Sequence, residues 1–157
     1  MTDTPRQDPP LTDRALRAVE LAGHECQAVR HSYLGSEHLL AGLVREAEDH
    51  EEQALASLTP HAVRREFVRI IPPGHQVPEG EIPFSPRVQR VLRYALEESR
   101  RLGHAEIDTG LLLLGVLNLG DGVAARVLRR LDVDTAKAHR EILTRLTGEP
   151  PHDGSHE

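Results

Sequence analysis

A chain of 157 residues can bury one sizeable core, and 38% hydrophobic content without tryptophan suits helices that pack through aliphatic faces. A net charge of −6 argues against a general attraction to nucleic acid or an anionic membrane, and the longest apolar run, Leu111 to Leu114, is far too short to span a bilayer. One cysteine, Cys26, excludes an intramolecular disulfide and a cysteine-rich zinc site, and the polar start from Met1 does not read as a signal peptide, so a cytoplasmic protein is expected.

Residues 1–10 end in Pro9-Pro10 and are expected to form a disordered lead. Leu11-Thr12-Asp13 then opens a helix, with Thr12 as N-cap and Leu11 as a hydrophobic staple. Ala15, Ala18, Val19, Ala22 and Val29 recur at three- and four-residue steps and carry this helix to about Arg30. After a turn over 31–35, Ser36 is expected to cap a second helix that buries Leu39, Leu40, Leu43 and Val44. Residues 46–52 form an acidic patch, read as a solvated loop in preference to a docking site for a basic partner. A short helix over 51–58 and another from Thr59/Pro60 to Ile71 follow, the latter starting with favoured N-cap and N1 residues. The prolines and glycines of 72–83 forbid a helix or a central strand, which makes this stretch a connector. Helices are expected again at about 85–102, 108–118, 122–131 and 134–147, followed by a polar, disordered tail over 148–157.

The second series of helices repeats the first. His31–Glu46 is echoed by His104–Leu119 at a displacement of 73 positions, and Leu11–Arg14 falls on Phe84–Arg87 at the same offset. A constant displacement over so long a span marks an internal duplication. The expected fold is therefore all-α: two pseudo-symmetric four-helix repeats, 11–71 and 84–147, joined by 72–83 into one eight-helix domain.

Few residues suggest catalysis. Glu37 and His38 are helix neighbours whose side chains diverge by about 100°, and no nucleophile accompanies them. His38 matches Leu111 in the second copy, so it is expected to be packed and hydrogen-bonded. His24, Cys26 and His31 do not share a face, so no metal site and no cofactor are expected. No Gly-Lys pair occurs, which removes a phosphate-cradling P-loop.

Leu-Thr-Asp-Arg (11–14), Tyr-Leu-Gly-Ser-Glu-His-Leu-Leu-Ala-Gly-Leu-Val-Arg-Glu (33–46), Ile-Pro-Phe-Ser-Pro-Arg (82–87), Arg-Arg-Leu-Gly-His (100–104) and Gly-Asp-Gly-Val-Ala-Ala-Arg-Val-Leu (120–128) resemble the double Clp repeat. That module is the N-terminal domain of Clp/Hsp100 unfoldases, and the similarity favours the ClpC branch. Without a P-loop, the chain is expected to be an isolated N-domain that is not an enzyme. The resemblance implies a binding module for the Clp ATPase and protease machinery, its substrates or its adaptors. Its ligands would include phosphoarginine-bearing proteins and cyclic-peptide antibiotics, and it would act as adaptor or decoy.

The resemblance also implies a phosphoarginine-like pocket formed by Thr12, Ser36 and Glu37. A helix start offers N–H groups to a phosphate, and a carboxylate takes a guanidinium. Capping alone would explain the same three residues. In the second copy Ser85 matches Thr12, but Gly110 and Leu111 replace the glutamate and histidine. Only a residual site at Ser85 and Thr109 is expected there, with Asp108 capping its helix. Phe84 stands either at a partner groove between the repeats or in the core. The alternative reading is a structural or regulatory protein that binds a Clp ATPase or another protein without a small-ligand pocket.

Overall fold

The computed structural model describes residues 9–50, 55 and 58–148. Among them run seven helices and no strand: α1 (Asp13–Ala28), α2 (Ser36–Asp49), α3 (Pro60–Ile70), α4 (Pro86–Leu102), α5 (Thr109–Asn118), α6 (Gly122–Arg130) and α7 (Thr135–Thr147). The short helix expected over 51–58 lies outside the described residues except for Leu55 and Leu58, as do the expected lead and tail except for Pro9, Pro10 and Gly148. No single helix among the described residues is long and apolar enough to cross a membrane.

Local chemistry explains most of the helix starts. Thr12, Thr59, Ser85 and Asp134 each accept the N–H three residues on, at 3.0–3.2 Å. Proline occupies the first turn of α3 and α4, where its missing N–H is not needed. Gly103 and Gly148 end α4 and α7 in the left-handed region. Helix α2 departs from expectation. Its N-cap is Gly35, and Ser36 is the first helical residue.

The core is shared by both repeats. Helix α2 is buried on almost every face from Ser36 to Val44, and α5 is buried from Leu111 to Val116. Helix α1 crosses α2 at Gly42, where an added Cβ would lie 2.7 Å from the Ala22 nitrogen. At the equivalent crossing of α4 on α5, a Cβ on Gly115 would lie 2.8 Å from Val91. Both copies thus use glycine so that two helix backbones can approach closely. Glu25, Glu46 and Glu66 are buried, and each is met by arginine. The Glu66–Arg130 pair, at 2.7 Å, joins α3 of the first repeat to α6 of the second.

Two short main-chain bridges stitch the repeats together reciprocally. Leu11 pairs with Ile107, and Leu34 pairs with Phe84. In the first bridge the Ile107 N–H donates to the Pro10 carbonyl at 2.9 Å, and the Thr12 N–H donates to the Ile107 carbonyl at 3.0 Å. In the second, the Leu34 N–H donates to Pro83 and the Ser85 N–H to Leu34, both at 2.9 Å. The duplication carries one bridge onto the other. As a result, the start of each repeat's first helix sits beside the start of the opposite repeat's second helix.

Candidate functional site

The Leu34–Phe84 bridge places the start of α2 next to the start of α4, and a cleft of 540 Å³ opens between them. Glu37 and His38 come from α2, and Ser85 and Arg87 from the start of α4. Val123 of α6 and the exposed Tyr33 and Ile71 add apolar surface.

Glu37 is 5% exposed, and its carboxylate folds back over Gly35, where any Cβ would collide with it. Glycine at the N-cap therefore makes room for the acid. Burial raises the Glu37 pKa above the usual carboxylate value, while its own N–H, His31 and Arg87 favour the charged form.

Behind the carboxylate lies a directional chain of hydrogen bonds. The Gly35 N–H donates to Nδ1 of His38 at 2.8 Å, so the proton of His38 resides on Nε2. That Nε2 faces His31 Nδ1 at 2.9 Å, and His31 Nε2 faces the Pro72 carbonyl at 3.0 Å. Phe67 meets His38 edge-on with centroids 5.3 Å apart. Burial and the neighbouring His31 depress the His38 pKa to about 3. His31, Glu37 and His38 bring three possible metal-ligating atoms within 4.8 Å of one another. A metal on His38 Nε2 would require an imidazolate, since Nδ1 already accepts a main-chain proton. The cluster is a structural relay that fixes the start of α2 to the connector.

Arg87 enters the cleft from the first turn of α4. Its stem lies across Gly122 (φ +88°), and its Nε donates to Asp121 Oδ1 at 3.2 Å. These interactions hold the Arg87 side chain against the start of α6.

The Leu11–Ile107 bridge forms the counterpart cleft, 440 Å³ in volume, with Asp108, Thr109 and Gly110 on one side and Arg14 on another. Asp108 stands at the N-cap of α5, but its side chain makes no capping bond. Instead, its Oδ1 accepts the Thr12 hydroxyl proton at 2.8 Å, which corrects the capping role expected for it. Gly110 lies against Leu146, which would stand 3.2 Å from an added Cβ. Arg14 is held by both oxygens of Glu46, at 2.7 and 2.8 Å. Glu46 is fully buried and also meets His50 at 2.8 Å, so it is an internal anchor and no part of a solvated acidic loop.

The family model for the Clp repeat (R) N-terminal domain matches residues 1–58 and 83–157. This chain belongs to the Clp N-domain family. It is 40% identical over 138 residues to a Clp protease ATP-binding subunit, a ClpA homologue of Porphyra purpurea, covering 87% of this chain and 17% of that relative. The chain therefore spans about a sixth of that relative's length. Among solved structures, it resembles the N-terminal domain of the ClpD chaperone from Arabidopsis thaliana, with a TM-score of 0.78, 27% identity, and 88% and 95% of the two chains covered. A ClpV N-domain solved with a VipB peptide shares the fold, with a TM-score of 0.60, 19% identity, and 97% and 99% covered.

Within this Clp N-domain, the residues singled out from sequence are distributed across the two clefts. Glu37 and Ser36 line the first cleft with Ser85, the residue assigned from sequence to the second copy. Thr12 is instead bonded to Asp108 beside the second cleft, which Thr109 lines. Ser36 is 2% exposed, and its hydroxyl accepts the Ala124 N–H at 3.4 Å, so it ties α2 to α6 and does not cap its own helix. Phe84 is half-buried in the Leu34 bridge and packs on the core. Sequence reasoning missed Arg87, although it lies within the quoted Ser-Pro-Arg motif. Its equivalence to Arg14 through the duplication was the available signal.

Proposed function

We propose that this chain is a non-catalytic binding module of the Clp system. Its first cleft receives an arginine-derived side chain, phosphoarginine foremost, presented by a protein substrate or adaptor. The observation that carries this reading is the pairing, across one cleft, of the sheltered Glu37 carboxylate with the Arg87 guanidinium. A ligand bearing a guanidinium and a phosphate would find an acceptor and a cationic donor on facing walls. The main-chain N–H of Arg87, early in α4, adds a further donor. Tyr33 and Ile71 would cover neighbouring residues of the bound segment. That a ClpV N-domain of this fold was solved with a peptide is consistent with a peptide ligand. Phe84 is half-buried in the bridge and packs on the core, and this reading assigns ligand capture to Glu37.

Calorimetric titration with free phosphoarginine, with plain arginine as control, tests the reading. One site is expected for phosphoarginine, lost in Glu37→Gln with the fold retained. No heat from folded protein would overturn the reading and leave a protein-docking surface without a small-ligand pocket. Adding the chain to a Clp protease degrading a phosphoarginine-marked substrate separates the two modes of action. Acceleration marks an adaptor and inhibition a decoy.

A further inference from the structure

The two arginines that the duplication makes equivalent are held in different ways. Arg14 forms two short bonds to a buried carboxylate and is locked there. Arg87 meets one oxygen of Asp121 at 3.2 Å, and Arg90, one turn further along α4, meets the same oxygen at 3.4 Å. All three side chains in this second group are about half exposed: 43% for Arg87, 49% for Arg90 and 56% for Asp121. Long, monodentate, solvated pairs of this kind exchange partners at little cost. A Cβ at Gly122 would collide with Arg87, and the next residue, Val123, lines the cleft. Three consecutive residues at the edge of the cleft thus differ in what they do: Val123 lines it, Gly122 seats the Arg87 stem, and Asp121 rests between two guanidinium groups.

We infer that Arg87, with Arg90 beside it, forms an anion subsite at the edge of the first cleft, and that Asp121 occupies this subsite when no ligand is bound. The inference rests on the phosphoarginine reading and extends it by naming a second arginine and an internal competitor. A phosphate entering beside Glu37 takes the two guanidinium groups from Asp121, whose carboxylate turns to solvent. An unphosphorylated arginine has no group to make this exchange and gains nothing from it. Asp121 therefore sets a threshold that a dianionic phosphate crosses and a monoanion crosses less well. The first repeat has Glu48 and Asp49 at the positions equivalent to Asp121 and Gly122, so it lacks the glycine seat.

The test is calorimetric titration of the full chain and its Asp121→Asn, Arg90→Ala and Asp121→Asn/Arg87→Ala variants, with phosphoarginine and with plain arginine. Asparagine serves as well as aspartate before a helix, and thermal melts confirm that each variant is folded. The expected result is phosphoarginine binding tightened about fivefold in Asp121→Asn, weakened about fivefold in Arg90→Ala, and lost in the double variant. Plain arginine should bind no more tightly to Asp121→Asn than to the unaltered chain. Wild-type binding that is unchanged or weaker in Asp121→Asn would overturn the inference and leave the pocket reading intact, because Asp121 would then only position Arg87. Binding in none of the proteins would overturn both.

Discussion

The two clefts of this Clp N-domain descend from one pattern and now hold their charges differently. In the first, Gly35 and Glu37 place a carboxylate over the start of α2, and Arg87 rests on an exposed, replaceable partner. In the second, Asp108 and Gly110 stand at the equivalent positions. The acid has moved two residues towards the N-terminus and is engaged by Thr12, while Leu146 packs where the glutamate side chain would start. Arg14 has likewise been drawn into an ion pair with the fully buried Glu46. The contrast shows how a duplicated site can become scaffold without losing charged residues. The charges find partners inside the protein.

The most disruptive way to break this contrast is to remove the internal anchor of the second cleft. Glu46→Ala leaves Arg14 and His50 without their shared acceptor. It should lower unfolding free energy by about 2–3 kcal/mol, below the full figure for a buried pair because Arg14 is partly exposed. Urea denaturation measures this, and phosphoarginine binding at the first cleft should survive wherever the variant is folded. Next in size, Glu37→Gln should weaken phosphoarginine by at least about tenfold, the scale of one charge-assisted hydrogen bond, with an unfolding midpoint at least as high as before. An equal loss of stability and binding would place Glu37 in the scaffold.

A third prediction carries a residue of the second repeat into the first. His38→Leu, which installs the side chain found at Leu111, leaves the Gly35 N–H without its acceptor. It should lower stability at pH 7 by about 1–2 kcal/mol. It should also change the pH profile. In the unfolded chain this histidine takes up a proton near pH 6.5, whereas in the fold it resists protonation down to about 3. The unfolded state binds more protons between these values, so stability falls as pH drops through that window. His38→Leu removes this dependence, and a slope unchanged in the variant would show that other groups cause it. The raised Glu37 pKa has the opposite sign, since the folded state binds more protons just above pH 4.5. The smallest expected effect is that of Arg87→Ala on stability. Exposed pairs contribute little, so the unfolding free energy should change by less than about 0.5 kcal/mol while phosphate recognition is lost. A loss as large as that of Glu46→Ala would mean that the two arginines are anchored alike.

Much of this protein was legible residue by residue. Thr12, Thr59 and Ser85 announced helix starts, and the structure uses each as an N-cap. Leu111 opposite His38 pointed to a packed histidine, and His38 is 1% exposed. Ser36 failed as a cap because the preceding glycine and the His38 ring together close the start of α2, which releases its hydroxyl to hold the Ala124 N–H. Glu46 failed as a loop residue because its partner Arg14 lies 32 positions away, beyond the reach of any local pattern.

What the chain's own letters determined is what depends on neighbours a few residues apart: the helices, their caps, their buried faces and the duplication itself. Which helix start faces which carboxylate was decided only in three dimensions. The sequence pairs Thr12 with Glu37 as readily as Ser85 with Glu37, because the duplication supplies two partners of the same type in the same order. Main-chain hydrogen bonds across the repeats, Leu34 to Phe84 and Leu11 to Ile107, resolve that degeneracy. These bonds are made by peptide groups that every residue carries, so side-chain identity could not foretell which segments would be joined.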